Sequence, residues 1–292
     1  MRYQKIDPKL FEQNRERLRR RLPPNSLVIL NSNDILPTNA DGSMLLRQNS
    51  DIFYLSGIHQ EETILVLFPD APDEKQREML FTKKTSELIA IWEGDKHTKE
   101  SAIETSGIQN VHWLDAFPGT LRMIMTQAEH VFLNTNEHAR ATDRVETRDL
   151  RFIRETMRQY PLHDYQRLAP IMAELRITKS KLEVDLIKKA CEITEAGFRR
   201  VLKFIKPGVK EYEIEAEFIH EYLSHGSDGF AYDPIIGSGK NACILHYLEN
   251  HDTCEDGQMV LMDVASRYAN YNSDLTRTVP VNGRFTDRQR SV

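Results

Sequence analysis

Short aliphatic runs, separated by longer charged segments with helical periodicity, most limit how this sequence can fold. The clearest runs are residues 26–30, 63–68 and 130–133, and each has the length of a buried strand. Residues 9–22 and 149–158 are two of the segments that we predict to be helices, and residues 88–92 are predicted to form a shorter strand. Strands that alternate with helices predict an α/β domain of roughly 170 residues in the first part of the chain.

The pattern changes before a long helical segment in the second part of the sequence. Ser180 and Glu183 are spaced as a helix-capping pair, and apolar residues then recur at helical intervals. A second helix is predicted over residues 211–223, and the sequence that follows has an extended pattern. We therefore predict two domains, residues 1–173 and 174–292.

Composition and charge argue against several classes of partner. The net charge is −5, from 39 basic and 44 acidic residues, which does not favour binding of nucleic acid through its phosphates. No apolar run approaches the length of a membrane span, so we expect no membrane partner. The first residues contain no apolar leader, and the three cysteines form no C-x-x-C pair, so we expect a cytoplasmic protein.

Two aspartates in consecutive predicted strands are the strongest chemical signal. Asp263 lies in residues 259–265, a predicted strand whose other residues are all apolar, and Asp274 lies in residues 273–281. A carboxylate in an apolar strand is costly unless it is paired or bound to a metal ion. The two aspartates are therefore candidate metal ligands.

The position of the turn between these strands decides whether the aspartates meet. If the chain turns at Tyr268 and Ala269, Asp263 and Asp274 are directly opposed, and their Cβ atoms lie about 5 Å apart. A divalent cation between them would offset the repulsion of their charges. The alternative is that the turn lies elsewhere and that one carboxylate caps a loop.

A glycine-rich stretch and a histidine close to it allow two interpretations each. Residues 237–242 fit the dinucleotide pattern G-x-G-x-x-A, but the helix that would follow is short, and a tight turn explains the glycines equally well. His246 lies among apolar residues, where a histidine is more often part of the core than a functional group. The glycine pattern therefore leaves open an oxidoreductase that binds a nicotinamide cofactor.

Several longer stretches of the sequence have the character of family motifs. In the second part they are residues 176–183 (RITKSKLE), 231–247 (AYDPIIGSGKNACILHY), 261–265 (LMDVA) and 272–281 (NSDLTRTVPV). In the first part they are residues 47–57 (RQNSDIFYLSG) and 91–94 (IWEG). Together these stretches extend over nearly the whole chain, and in this order they resemble the aminopeptidase P group of proline-specific peptidases.

The resemblance implies a creatinase-like α/β N-terminal domain, followed by a catalytic α+β domain of the pita-bread fold. It further implies an Xaa-Pro aminopeptidase, a dinuclear metallopeptidase that releases the N-terminal residue of peptides with proline in the second position. The family uses two divalent metal ions, usually Mn²⁺. Asp263 and Asp274 match its two hairpin aspartates, and His246 matches its catalytic histidine on the substrate side.

The pita-bread domain is expected to be incomplete in this chain. The resemblance implies three further metal ligands, one histidine and two glutamates, and none has a counterpart before Val292. We therefore expect that the 292-residue chain alone is inactive and that the activity belongs to the complete protein.

Other expectations concern the first domain and the choice of substrate. Trp92 and residues 47–57 are expected to serve substrate binding or subunit contact in a homo-oligomer, a dimer or tetramer; a place in the core is the alternative for Trp92. The substrates implied are peptides with an Xaa-Pro N-terminus. Two alternatives remain within the fold: a prolidase, which cleaves Xaa-Pro dipeptides, and a noncatalytic pita-bread protein that serves binding.

Overall fold

A computed structural model describes residues 2–141 and 144–292, and these residues form two compact units. One unit is Lys5–Thr178. The other consists of Lys179–Val292 with residues 2–4. The chain therefore passes from one unit to the other directly before the Ser180 capping position, whereas the boundary at residues 173–174 stays a prediction.

The first unit is built from alternating helices and strands. The helices are α1 (Lys9–Arg19), α2 (Ser50–Ser56), α3 (Glu87–Glu93), α4 (Lys99–Ser106), α5 (Phe117–Met125), α6 (Arg148–Gln159) and α7 (Ala169–Ile177). The strands are β1 (Ser26–Asn31), β2 (Ile64–Leu67), β3 (Glu78–Thr82), β4 (Asn110–Trp113), β5 (His130–Leu133) and β6 (Asp164–Arg167). This alternation confirms the predicted α/β class.

The described strands of this unit form one six-stranded sheet in the order β4-β3-β2-β1-β5-β6. Only β2 runs antiparallel to its neighbours among these strands, and the other adjacent pairs are parallel. Every residue of β1 is buried. Val28 and Leu30 belong to one apolar cluster, while Leu27 and Ile29 belong to a second cluster. Helices on both faces of the sheet thus explain why β1 is continuously apolar.

One predicted strand is wrong. The apolar residues 88–92 had the spacing of a short strand, but they lie in the helix α3. Ser86 caps this helix by accepting a hydrogen bond from the Ile89 backbone N–H, and Gly94 ends it with a φ of 78°. These capping interactions determine the local structure, because the side chains of the segment are not buried in a sheet.

The second unit begins with two helices and continues as short strands. Its elements are α8 (Lys181–Phe204), α9 (Glu211–Ser224), β7 (Ile235–Ser238), β8 (Met259–Val264), β9 (Arg267–Tyr268), β10 (Tyr271–Asn272), β11 (Leu275–Pro280) and α10 (Asp287–Ser291). The predicted capping pair is confirmed: the Ser180 side chain accepts from the Glu183 backbone, and the Glu183 side chain accepts from the Ser180 backbone. The strands β11, β8 and β7 form an antiparallel sheet with β8 in the centre.

Membrane insertion requires a long apolar segment. In the part of the chain that the structure describes, no helix combines the length and the apolar character needed to cross a bilayer.

Candidate functional site

The central strand β8 presents alternate residues to its two faces, as its sequence predicts. Val260, Met262 and Val264 are buried, whereas Leu261 and Asp263 are only partly buried. Asp263 therefore lies on the more open face of the sheet, between β7 and β11. A side chain in that position can reach both solvent and the neighbouring strands.

The predicted pairing of Asp263 with Asp274 is wrong by two residues. Asp263 is opposite Thr276 of β11 and Ile235 of β7. The chain turns at Ala269 and Asn270, one position later than predicted, and both have a positive φ, 52° and 61°. A two-residue hairpin turn requires this left-handed conformation, which asparagine tolerates better than tyrosine does.

A shift of two residues leaves the predicted face of the strand unchanged, because side chains alternate with a period of two. The two aspartates are in fact joined by one side chain. The Tyr232 hydroxyl donates to Asp263 Oδ1 at 2.6 Å, and it lies 3.1 Å from Asp274 Oδ1. The carboxylates are thus held within reach of one hydroxyl group, although they are not directly opposed.

The environment of Tyr232 keeps its hydroxyl protonated. Burial raises the pKa of Tyr232, and the hydrogen bond to Asp263 raises it further. A phenolate beside two carboxylates would add a third negative charge, so the protonated donor is the favoured form. Tyr232 therefore acts as a hydrogen-bond donor to the carboxylate pair.

A cavity of about 410 Å³ opens beside Asp263. Its lining residues are Tyr232, Asp233, Ile235, Leu245, His246, Leu248 and Asp263. His246 is exposed, so the alternative that it belongs to the core is wrong. The structure therefore brings His246 and Asp263 to one cavity, with Tyr232 as the link to Asp274.

The dinucleotide-binding alternative requires a strand, a crossover helix and a parallel strand. Residues after β7 instead form a short 3-10 turn, Gly239–Cys243, and β7 runs antiparallel to β8. A Cβ atom at Gly237 would lie 2.8 Å from the backbone of Asn241. This glycine therefore serves a tight turn, and the nicotinamide-dependent alternative is wrong on structural grounds.

Carboxylate oxygens are the ligands that hard divalent cations prefer, so Asp263 and Asp274 fit such an ion in chemical type. They do not fit it in number. Among residues 2–141 and 144–292, no group of three or more His, Cys, Asp or Glu residues is arranged to hold a metal ion. Asp263 and Asp274 alone are therefore fewer ligands than the about six to eight oxygens that such an ion takes.

Trp92 lies on α3 in the other compact unit, and 82% of its surface is exposed. The alternative that Trp92 lies in the core is therefore wrong. Leu88 and Ile91 of the same helix are also exposed. A role of Trp92 in substrate binding stays a prediction.

Sequence reasoning missed two residues that shape this site. Tyr232 lies in the stretch used for the resemblance, but nothing in the sequence indicated that its hydroxyl would meet both aspartates. Glu211 resembles an ordinary acidic residue in the first turn of a helix, yet it is wholly buried and accepts several hydrogen bonds. Pro207 and Gly208 indicate a turn before this helix, but they do not indicate that Glu211 is buried.

Comparison with known families divides the chain in the same order as its two units. Residues 11–132 match the N-terminal domain of aminopeptidase P, and residues 185–292 match metallopeptidase family M24. The predicted fold, an N-terminal α/β domain followed by part of a pita-bread domain, is confirmed by these matches and by similar solved structures.

Curated relatives extend beyond the region that this chain matches. An Xaa-Pro aminopeptidase of Escherichia coli is 32% identical over 97% of this chain and 64% of its own length. An Xaa-Pro aminopeptidase of Haemophilus influenzae is 30% identical over 99% of this chain, again 64% of its own length. A rat Xaa-Pro dipeptidase is 28% identical over 99% of this chain and 59% of its length. The chain thus spans less than two thirds of these relatives.

Solved structures agree with the sequence relatives. A Bacillus anthracis protein described as an aminopeptidase P is 33% identical, with a TM-score of 0.91 over 98% of this chain and 68% of the other. Aminopeptidase P from E. coli is 32% identical, with a TM-score of 0.85 over 99% of this chain and 66% of the other. The chain therefore belongs to the aminopeptidase P family of M24 metallopeptidases.

Proposed function

We propose that the complete protein is an Xaa-Pro aminopeptidase, which hydrolyses the first peptide bond of peptides with proline in the second position. The observation that carries this proposal is the Tyr232 hydroxyl, which lies within hydrogen-bond distance of both Asp263 and Asp274. These two carboxylates belong to a chain whose curated relatives include Xaa-Pro aminopeptidases.

In this proposal Asp263 and Asp274 are metal ligands, and Tyr232 orients them. Two divalent ions, with Mn²⁺ proposed, would supply Lewis-acid chemistry and an activated water molecule when bound. A histidine and two glutamates beyond the described residues would complete the ligand set. The described chain alone is therefore proposed to be inactive.

His246 is proposed to be a catalytic residue that hydrogen-bonds the substrate from the rim of the Asp263 cavity. Both His246 and Asp263 line this cavity of about 410 Å³, so a bound group could contact both. Leu245 and Leu248 line it as well, with 85% and 50% exposed surface. These leucines offer an apolar wall for a residue such as proline.

Trp92 is proposed to bind substrate or to contact another subunit of a homo-oligomer. The exposed surfaces of Leu88, Ile91 and Trp92 on one helix support this role, because exposed apolar groups favour association. A prolidase is the second candidate, since a rat Xaa-Pro dipeptidase is among the relatives. A noncatalytic pita-bread protein is the third, and the cytoplasmic location stays a prediction from the sequence.

The length of the preferred substrate separates the first two candidates. We would measure hydrolysis of an Xaa-Pro-Xaa tripeptide and an Xaa-Pro dipeptide by the full-length protein with Mn²⁺. An aminopeptidase cleaves the tripeptide at least about ten-fold more efficiently, a difference of about 1.4 kcal/mol in transition-state binding. The Trp92→Ala variant is expected to reduce this ratio or to alter the oligomer.

The opposite results would identify another candidate. Preference for the dipeptide would favour the prolidase, and absence of hydrolysis of both peptides would favour the noncatalytic protein. An unchanged ratio and unchanged assembly in the Trp92→Ala variant would exclude both roles proposed for this side chain.

A further inference from the structure

Glu211 is a buried acid in the first turn of α9 that the proposed chemistry does not use. Its exposed surface is 0%, and burying a carboxylate is costly unless hydrogen bonds replace its water. Five donor groups meet its two oxygens. They are Ser238 N at 2.6 Å, Ser238 Oγ at 2.8 Å, Asn241 Nδ2 at 3.4 Å, Tyr247 Oη at 2.8 Å and Asp252 N at 3.0 Å.

These donors belong to one loop, residues 239–252, and to Ser238 directly before it. Ser238 ends β7 directly before the loop, and its two donors meet Oε1 of Glu211. Tyr247 and Asp252 meet Oε2 from the returning part of the loop. The Glu211 side chain therefore joins the two ends of the loop, and it also binds Tyr247 within the loop.

Tyr247 directly follows His246, and the two side chains have different environments. Tyr247 is 4% exposed and donates to Glu211, whereas His246 is exposed and lines the cavity beside Asp263. Because the buried residue fixes the backbone next to it, the anchored tyrosine limits where the histidine can lie. The hydrogen bond from Tyr247 thus connects Glu211 to the backbone next to His246.

Asn241 strengthens the same connection. Its Nδ2 lies 3.0 Å from the Tyr247 hydroxyl and 2.8 Å from Asp252 Oδ2, so it joins the two sides of the loop. The close approach of Gly237 to the Asn241 backbone allows this geometry. The glycine-rich stretch is therefore part of the loop anchor.

We propose that Glu211 is a positioning residue, which holds the 239–252 loop so that His246 faces the Asp263 cavity. This inference rests on the proposed function of His246. A glutamine at position 211 keeps the size of the side chain but replaces one acceptor oxygen with an NH₂ donor. That donor would meet the donor groups of Ser238 or Asp252, so the loop would lose part of its anchor.

A double-mutant cycle in the full-length protein tests the inference. We would measure kcat and KM for an Xaa-Pro-Xaa tripeptide with Glu211→Gln, His246→Ala and the double variant. Each single variant is expected to lower kcat/KM at least about ten-fold, mainly through kcat. If Glu211 acts through His246, the double variant loses no more than about two-fold beyond His246→Ala.

Two further variants keep the test decisive. Glu213→Gln is the matched control, because Glu213 is an exposed acid of the same helical turn and glutamine can replace it in its capping bond to Lys210. Tyr247→Phe leaves the Glu211 carboxylate in place and removes the hydrogen bonds of the Tyr247 hydroxyl to Glu211, Asn241 and His251. If Glu211→Gln does not fold, the same cycle with Tyr247→Phe gives the answer.

The possible failures are distinguishable. Losses from Glu211→Gln and His246→Ala that multiply in the double variant would contradict the positioning role while the function of His246 stands. Unchanged turnover by His246→Ala would instead reject the proposed function of this histidine, and the inference with it.

Discussion

At the scale of single residues, the site depends on hydrogen bonds that a carboxylate can accept. Tyr232 is the clearest example, because one hydroxyl lies 2.6 Å from Asp263 Oδ1 and 3.1 Å from Asp274 Oδ1. Groups that donate to metal-binding carboxylates orient them and influence affinity. The proposed metal centre should therefore depend on the hydroxyl as well as on the carboxylates.

Tyr232→Phe is expected to weaken Mn²⁺ binding by about ten-fold in the full-length protein, since orienting hydrogen bonds have effects of that size. Isothermal titration calorimetry measures this directly, without reference to turnover. Tyr212→Phe is the control, because Tyr212 lies on α9 with 53% of its surface exposed. Equal affinity in the Tyr232→Phe variant and the wild type would refute the orienting role.

Asp149 in the first unit gives a prediction about pH. Burial raises the pKa of Asp149 to about 6, against the opposing effect of hydrogen bonds from Asn31. Because the folded pKa exceeds that of the unfolded chain, ionisation opposes folding. The contribution to the free energy of unfolding therefore falls as the pH rises from about 4 to about 6, and it stays low above that range.

Asp149→Asn removes this ionisation and keeps an acceptor oxygen for Asn31. We expect the free energy of unfolding at pH 7 to rise by about 1–3 kcal/mol, with the difference vanishing below about pH 4. Urea unfolding at both pH values measures it, with the exposed Asp115→Asn as control. A less stable variant at pH 7 would show that the bonds to the ionised carboxylate outweigh its desolvation.

At the scale of elements, the turn between β9 and β10 sets where Asp274 lies. Ala269 and Asn270 both have a left-handed backbone, which β-branched residues strongly disfavour. The Nδ2 atom of Asn270 is buried with no hydrogen-bond partner, so its replacement loses no bond from that atom. This position therefore tests backbone geometry with little interference from the side chain.

Asn270→Val is expected to lower the free energy of unfolding by about 1–3 kcal/mol, the cost of a strained backbone, and to weaken Mn²⁺ binding as Asp274 shifts. Asn270→Gly is the matched control, because glycine adopts a positive φ without strain. Thermal unfolding and metal titration of the full-length protein measure both effects. Equal stability and affinity in the two variants would contradict the importance of this turn.

Much of the fold followed from the sequence because its signals are local. Alternating aliphatic runs predicted β1, β2 and β5, and the Ser180 capping pair predicted the start of α8. The helix α3 was not predicted, because its short apolar run is also typical of a strand. The capping residues Ser86 and Gly94 are the local signals that favour a helix. Local periodicity does not indicate whether an apolar segment will be buried.

The sequence indicated candidate residues for the site, but it indicated less of their geometry. Alternation along β8 correctly separated Asp263 from the face of Val260, Met262 and Val264, which the structure shows to be the buried one. The turn lies one residue later than predicted, and a shift of the turn by one residue changes the strand register by two. The residue opposite Asp263 is therefore Thr276 instead of Asp274. The hydrogen bonds of Glu211 and Tyr232 join residues far apart in sequence, and local sequence patterns do not predict such contacts.

At the scale of the whole molecule, the number of proposed metal ligands is expected to limit the activity of the chain. The chain spans 64% of two curated Xaa-Pro aminopeptidases. Its described residues bring two carboxylates to the site, whereas a hard cation takes about six oxygen ligands. A second ion nearby needs further negative charge to offset the repulsion between the metals.

The 292-residue chain alone is therefore expected to bind Mn²⁺ weakly and to leave Xaa-Pro peptides intact. Calorimetric titration, with a parallel peptide assay, measures both properties. Recovery of tight binding in the full-length protein would support the proposed ligand set. Two tight sites in the 292-residue chain, or turnover that Asp263→Ala abolishes, would contradict it.

The proposed metal-binding role of Asp263 and Asp274 is tested by the metal stoichiometry of the full-length protein with either aspartate changed. We expect two Mn²⁺ ions per wild-type chain, loss of at least one in Asp263→Asn and Asp274→Asn, and at least about a hundred-fold loss of tripeptide hydrolysis, or about 2.7 kcal/mol. Asp185→Asn, an exposed change on α8, should behave as wild type. If Asp263→Asn and Asp274→Asn each bind two Mn²⁺ ions and retain full activity, these aspartates do not hold the metal.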